Sequence, residues 1–153
     1  MIVEYVSVRP DAHCPTRGHP SDAGLDVYYS PSKAPTNMVI RPGEGKVIPT
    51  GLRFGVPHGY MLEVKNRSSV AAKRSLIVGA CVIDSGYDGE VFINLHNIGK
   101  CVQIIEPGDK IAQLVMIPVV HFRPAEAADK RLYDDPITIS NRGDGALGST
   151  DEA

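Results

Sequence analysis

The chain of 153 residues predicts an all-β fold, an antiparallel sandwich or barrel with one short helix. Three observations carry this. Short runs rich in Val, Ile, Leu and Tyr recur about every ten residues, a spacing that suits strands of a sandwich or barrel. Strong turn signals separate them: Arg41-Pro42-Gly43-Glu44-Gly45, Pro57-His58-Gly59, Asn97-Ile98-Gly99-Lys100 and Glu106-Pro107-Gly108-Asp109. In these Pro pre-sets one dihedral and Gly admits positive φ. Within the runs side chains alternate, Val91, Ile93 and Leu95 falling on one face and Glu90, Asn94 and His96 on the other, as a half-buried strand requires.

Taken in order, strands are expected at 2–6, 25–29, 38–40, 46–48, 52–56, 60–64, 76–78, 90–96, 102–105 and 111–120. A further apolar stretch, Cys81-Val82-Ile83, ends on Asp84 ahead of a Gly-rich tip. The helical piece is brief, 68–74, where Ser68 or Ser69 is placed to cap Val70-Ala71-Ala72-Lys73. Residues 1–130 form the expected β-domain. From 131 to 153 the chain turns polar and Gly-rich and reads as an arm. So polar a tail cannot hold a core position, and it is either disordered or ordered only when laid over a ligand or a neighbour.

Length gives one domain with one real core. Sixteen Lys plus Arg against eighteen Asp plus Glu leave a net charge of -2, so neither a nucleic-acid duplex nor a membrane surface is the expected partner and any phosphate site is local. Cys14, Cys81 and Cys101 are odd in number and widely spaced, which fits reduced thiols rather than a disulfide framework or a zinc site. Glu4, Arg9 and Asp11 interrupt the N-terminal region, which carries no signal-peptide or membrane-span pattern, and a cytoplasmic protein is expected. Gly43-Glu44-Gly45-Lys46-Val47 lacks the spacing of a P-loop. No H-x-E with P-C-x-x-C is present for zinc deaminase chemistry, and His13, His19, His58, His96 and His121 fall in no metal-ligand spacing.

The candidate chemistry lies in polar clusters. Asp84 is either a general base that orients water or a turn-capping acid, and Tyr87 either packs on a sugar or is a plain hairpin aromatic. Arg67-Ser68-Ser69 at a helix start is a phosphate cradle or a cap beside a solvated charge. Asp26 is either suited to hold Mg²⁺ through water, since Mg²⁺ prefers oxygen ligands and keeps several waters, or a plain strand Asp with no role. Gln113 is the amide on the face Ile111, Gln113, Val115, Ile117. It must bond either backbone at a subunit interface or a ligand oxygen. Arg142 heads a flexible loop with hydroxyls at its foot, which either closes over a polyphosphate or, as the residues taken alone favour, is a disordered tail.

Ser21-Asp22-Ala23-Gly24-Leu25-Asp26, Asn66-Arg67-Ser68-Ser69, the run from Cys81 to Val91, Gly108-Asp109-Lys110-Ile111-Ala112-Gln113-Leu114 and Arg142-Gly143-Asp144-Gly145-Ala146-Leu147-Gly148-Ser149-Thr150 resemble, in this order, the five clusters of the trimeric dUTP pyrophosphatases (dUTPases). The resemblance implies a jelly-roll-like homotrimer with active sites shared between chains, residues 131–153 closing over a neighbour's ligand. It implies hydrolysis of dUTP to dUMP and pyrophosphate with Mg²⁺, limiting uracil in DNA and supplying dUMP for dTMP synthesis. By position, Asp84 orients the attacking water and touches the sugar 3′-OH, and Tyr87 occupies the space of a 2′-OH. The backbone at Val82 and Ile83 reads uracil, Arg67, Ser68 and Ser69 hold phosphates, and Gln113 and Arg142 lie toward the γ end. Leu147, Gly148, Ser149 and Thr150 belong to the closing arm, and Asp26 supports the metal indirectly.

Three departures stand out. Ala146-Leu147 replaces the family's Gly-Phe, and losing a base-stacking aromatic costs about 1 to 3 kcal/mol, roughly ten- to a hundredfold in affinity. Gly86 stands for the usual Asp beside Tyr87, with Asp88 where a basic or amide residue is usual, which gives a likeness to the dCTP deaminases of the same fold. Those carry a glutamate proton shuttle where Asn94 stands, and Asn is no base at neutral pH. Asp151 follows Ser-Thr where Gly is common. The alternatives to a dUTPase are thus the deaminase or a low-turnover trimeric nucleotide-binding regulator.

Overall fold

The computed structural model describes residues 1–133 and 142–147. The chain divides after His121, into Met1–His121 and Phe122–Ala153, where the sequence put the boundary near residue 130. The first unit holds the strands β1 (Tyr5–Ser7), β2 (Leu25–Tyr28), β3 (Met38–Ile40), β4 (Gly45–Pro49), β5 (Leu52–Phe54) and β6 (Tyr60–Lys65), then helix α1 (Ser68–Arg74). It continues with β7 (Leu76–Val78), β8 (Val82–Ile83), β9 (Phe92–Asn97), β10 (Gln103–Ile105) and β11 (Lys110–Pro118).

Among the described residues every strand pairing is antiparallel. A four-stranded sheet runs β2-β11-β6-β8 and a three-stranded one β4-β9-β7, with the two-stranded ribbons β1-β5 and β10-β3 beside them. The core is drawn from both larger sheets and both ribbons: Val27, Leu62 and Leu114, then Ile48, Ile93 and Leu95, then Leu52, Ile40 and Ile105. Each fully buried Ile or Leu contributes about 1.5–3 kcal/mol of transfer free energy, which is why alternation along β9 fixes which face turns inward. This is the expected jelly-roll-like all-β architecture, and among the described residues one short helix stands at the expected positions.

Local chemistry sets the turns. Pro42 and Gly43 (φ +81°) form a turn closed by Glu44 N–H donating to the Arg41 carbonyl at 2.9 Å, the arrangement of a type II turn, in which Gly alone meets positive φ without cost. Strand ends follow pairing rather than composition. Ile2, expected in the first strand, is 93% exposed because β1 pairs β5 over only Tyr5–Ser7. A register shift between Lys110 and Ala112 sends both Ile111 and Ala112 into the core. Ile111 therefore does not share the face of Gln113, Val115 and Ile117, as strict alternation would have it.

Asn97 ends β9 almost fully buried, its amide donating to the Ile40 and Cys101 carbonyls at 2.9 and 2.8 Å and accepting from Gly99 N–H at 3.0 Å. A buried amide is stable only when so paired, and it sews the β9–β10 turn to β3. The three cysteines are free thiols. Among the described residues no helix is long and apolar enough to cross a membrane.

Candidate active site

Two clefts on the first unit gather most of the candidate residues. The smaller, about 200 Å³, is bounded by Val82, Ile83, Asp84, Tyr87 and Phe92. β8 ends at Ile83, and Asp84 opens a turn in which Tyr87 N–H donates back to the Asp84 carbonyl at 3.2 Å. Gly86 lies at φ +84°, the third position of a type II turn, which any residue with a Cβ meets under strain. The Tyr87 hydroxyl donates to the Glu90 carbonyl at 2.8 Å, so the ring folds across Gly89, where a Cβ would lie 2.5 Å from that hydroxyl.

Asp84 is exposed, and among the described residues no donor is bonded to its carboxylate, which leaves it open to a water or a sugar hydroxyl. The strand that carries it is not buried on both faces. β8 is the edge of the four-stranded sheet, so Ile83 is buried and Val82 is 57% exposed.

Two ion pairs brace the return of this hairpin. Arg9 bonds both carboxylate oxygens of Glu90, at 2.5 and 3.1 Å, and Arg53 pairs with Asp88. Hydrogen bonding to Glu90 raises the Arg9 guanidinium above its ordinary value.

The larger cleft, about 440 Å³, is lined by Gly24, Asp26, Lys65, Arg67, Ser68, Lys110 and Gln113 among others. Asp26 is only 8% exposed. One of its oxygens accepts Arg67 Nε at 2.9 Å and the other meets Lys110 Nζ at 3.0 Å. A buried carboxylate requires such pairing, and in return it fixes both cations at the cleft wall. Direct opposition across the strands puts Gln113 between Asp26 on β2 and Lys65 on β6. The Gln113 amide donates to the Asn66 carbonyl at 2.8 Å, and its oxygen lies where a Cβ on residue 24 would be, at 1.7 Å, so only Gly fits there.

Arg67, rather than Ser68 or Ser69, takes the N-cap position of α1, with extended backbone (φ −85°, ψ 134°) and no side-chain cap. The capping expectation for the serines is thus overturned: they begin the helix itself, too late in the chain to cap it. Ser68 opens into the large cleft, and Ser69 into a neighbouring one with Lys73 and Arg74. Lys65 and Lys110, given no role by the sequence reading, bring the cleft's Lys and Arg side chains to three. The sequence signal for them was no more than proximity, since Lys65 stands two before Arg67 and Lys110 three before Gln113.

Asp84 and the Asp26 cluster sit at opposite corners of one sheet face. Continuing the β6–β8 register by one residue sets Asp84 opposite Met61, four residues along β6 from Lys65. With strands about 4.8 Å apart and a rise of about 3.4 Å per residue, Asp84 and Asp26 are roughly 20 Å apart. Between them lie half-buried Met61, Glu63, Val115 and Ile117.

In the second unit Arg142 Nε donates to the Gly145 carbonyl at 2.9 Å, around Gly143 at φ +60°. Leu147 is fully exposed. Gly148, Ser149 and Thr150 lie outside the described residues.

Among the described residues no three His, Cys, Asp or Glu side chains form a metal-binding group. Asn94, where the resemblance to the deaminases would call for a glutamate, is spent on structure. Its oxygen accepts Ala80 N–H at 3.2 Å and meets His96 at 3.0 Å, while its amide donates to the Lys46 carbonyl at 3.3 Å.

Comparison with known proteins shows the family. A family model described as dUTPase matches residues 10–150. The deoxyuridine 5'-triphosphate nucleotidohydrolase of Gloeobacter violaceus is 36% identical over 150 residues, covering 95% of each chain. Among solved structures, a point mutant of the phage 80alpha dUTPase superposes with a TM-score of 0.81 at 24% identity, over 97% of this chain and 98% of that one. A mutant dUTPase of phage phi11 of S. aureus, whose structure is described as revealing coordination of a structural Mg(II) ion, gives a TM-score of 0.75 at 25% identity, over 84% and 97%.

Proposed function

This chain belongs to the dUTPase family, and from that premise we propose that it hydrolyses dUTP to dUMP and pyrophosphate in active sites that no single copy completes. The observation that carries this is the split site. A hairpin pocket with an unencumbered carboxylate and a cationic cleft occupy opposite corners of one face, too far apart to grip one nucleotide's sugar and adjacent phosphates. The half-buried strip between them, Met61, Val115 and Ile117 with the single acid Glu63, is the surface a second copy would cover, bringing its cleft to this copy's hairpin. Closed threefold symmetry makes three equivalent sites.

In such a site the Val82–Ile83 backbone reads the uracil edge and Tyr87 fills the space a ribose 2′-OH would need. Water loses a proton to Asp84 as its oxygen bonds to phosphorus. The bond between the α-phosphorus and the bridging oxygen breaks, and the electron pair leaves with pyrophosphate. Arg67, Lys110 and Ser68 hold phosphate oxygens, with Gln113 and Arg142 toward the γ end. Ser69, Leu147, Gly148, Ser149 and Thr150 complete the enclosure, the last four from the arm. Phosphoryl transfer asks for positioning and charge stabilisation more than covalent help.

Both oxygens of Asp26 are committed to Arg67 and Lys110, so direct coordination of Mg²⁺ by this carboxylate does not fit. Mg²⁺ carried by the triphosphate with its own waters does fit, with Asp26 acting through the cations it orients and through water. Bound there, it would offset phosphate charge.

A nucleotide panel tests the assignment. With dUTP, dCTP, dTTP and UTP plus Mg²⁺, pyrophosphate release is expected chiefly from dUTP, and release chiefly from another nucleotide, or from none, overturns it. Asp84→Asn is expected to lower kcat by about 10²- to 10⁴-fold with nucleotide binding retained. Unchanged turnover would remove Asp84 from the chemistry.

A further inference from the structure

The pair Arg9–Glu90 lies 81 positions apart in sequence and belongs to none of the five polar clusters, apart from Glu90 at the end of the hairpin run. Its geometry is that of a clamp. Glu90 Oε1 accepts Arg9 Nη2 at 2.5 Å and Gly51 N–H at 2.7 Å, and Oε2 accepts Arg9 Nη1 at 3.1 Å. Arg9 Nη2 also donates to the Ser30 carbonyl at 2.8 Å. The two side chains are only 17% and 16% exposed, so their charge-assisted bonds are shielded from the water that weakens a surface pair. Gly51, at φ +73°, makes room: a Cβ there would lie 3.2 Å from Arg9 Nη2 and 2.6 Å from the Ala12 Cβ.

The clamp reaches the sugar pocket through one atom. The Glu90 carbonyl that accepts the Tyr87 hydroxyl belongs to the residue whose side chain Arg9 and Gly51 hold. The next residue is stapled to the same turn, Val91 N–H donating to the Leu52 carbonyl at 2.8 Å and the Val91 carbonyl accepting Thr50 Oγ1 at 2.6 Å. The tyrosine ring therefore hangs from a backbone position that the N-terminal segment fixes before any nucleotide arrives.

We infer that Arg9 and Glu90 are positioning residues for sugar discrimination: by fixing the Glu90 carbonyl they hold Tyr87 where a 2′-hydroxyl would go. The inference rests on the reading of Tyr87 given above. Loosening the clamp lets the ring yield to a ribonucleotide, while Asp84 and the phosphate cleft keep their groups.

The test is the ratio of kcat/KM for dUTP to kcat/KM for UTP, from which any loss of folded protein cancels. Arg9→Ala and Glu90→Gln are expected to lower it about three- to tenfold. Arg9→Lys, which keeps the charge but not the fork, is expected to fall between them and wild type. Tyr87→Ala serves as reference and is expected to lower the ratio further. If Tyr87→Ala lowers the ratio while Arg9→Ala and Glu90→Gln leave it unchanged, the clamp is structural only and the inference fails. If Tyr87→Ala also leaves it unchanged, the sugar reading of Tyr87 falls and takes the clamp with it.

Discussion

At the scale of single residues, the site is governed by what each side chain is already bonded to. Asp84 and Asp26 both stand out in the sequence as acids two residues from a glycine. One faces outward from an edge strand, and the other is buried under two cations. Nothing local in the sequence separates them, because the partners come from distant elements, Arg67 from the start of α1 and Lys110 from β11. Gly24 shows the same dependence, since the Gln113 oxygen takes the place of its Cβ. Gly24→Ala is therefore expected to displace that amide and break its bond to Asn66. The cost should be about 1–3 kcal/mol of stability, with a raised KM for dUTP. Gly55→Ala, whose Cβ would meet nothing nearer than 3.7 Å, is the control expected to stay near wild type in thermal unfolding. Equal stability of the two variants would show that the Gly24 contact relaxes freely.

At the scale of elements, the sequence is most legible where chemistry is local. The Pro-Gly turns, the span of α1, and strands β3 and β7 follow from residues within a few positions. Strand ends elsewhere, the cap of α1 and the bulge at Ile111 depend on pairing, which sequence neighbours do not encode. The β3–β4 turn carries its own titratable brace: Arg41 N–H donates to the Glu44 carboxylate at 2.9 Å, and this bond, ahead of the charges of Lys46 and Arg41, lowers the Glu44 pKa. An acid whose folded pKa is depressed adds stability above its ordinary value near 4.5, and loses it as pH falls through the lower folded value. Glu44→Gln is thus expected to be slightly less stable than wild type at neutral pH, with the gap closing in acid. Denaturant unfolding of both proteins across that range measures it, and a gap that stays constant with pH would detach the effect from ionisation.

At the scale of the whole molecule, the hairpin of Asp84 and the cleft of Asp26, both in the first unit, do not meet in one chain, and the distance between them along the sheet face is the physical reason to expect assembly. Mixing provides a direct readout. On the proposed function, Asp84→Asn removes the base and Arg67→Ala removes a phosphate cation, so each alone is expected to be nearly inactive. If every site takes its hairpin from one copy and its cationic cleft from the next, a co-refolded equal mixture contains sites that pair an intact Asp84 with an intact Arg67. Random assembly of a closed ring makes these about one site in four, so about a quarter of wild-type activity should return. Sites built within one chain would each carry one lesion or the other, and mixing would recover nothing. The same mixture made without unfolding should gain activity only as fast as subunits exchange, which separates assembly of shared sites from any effect of one variant on the other's chemistry.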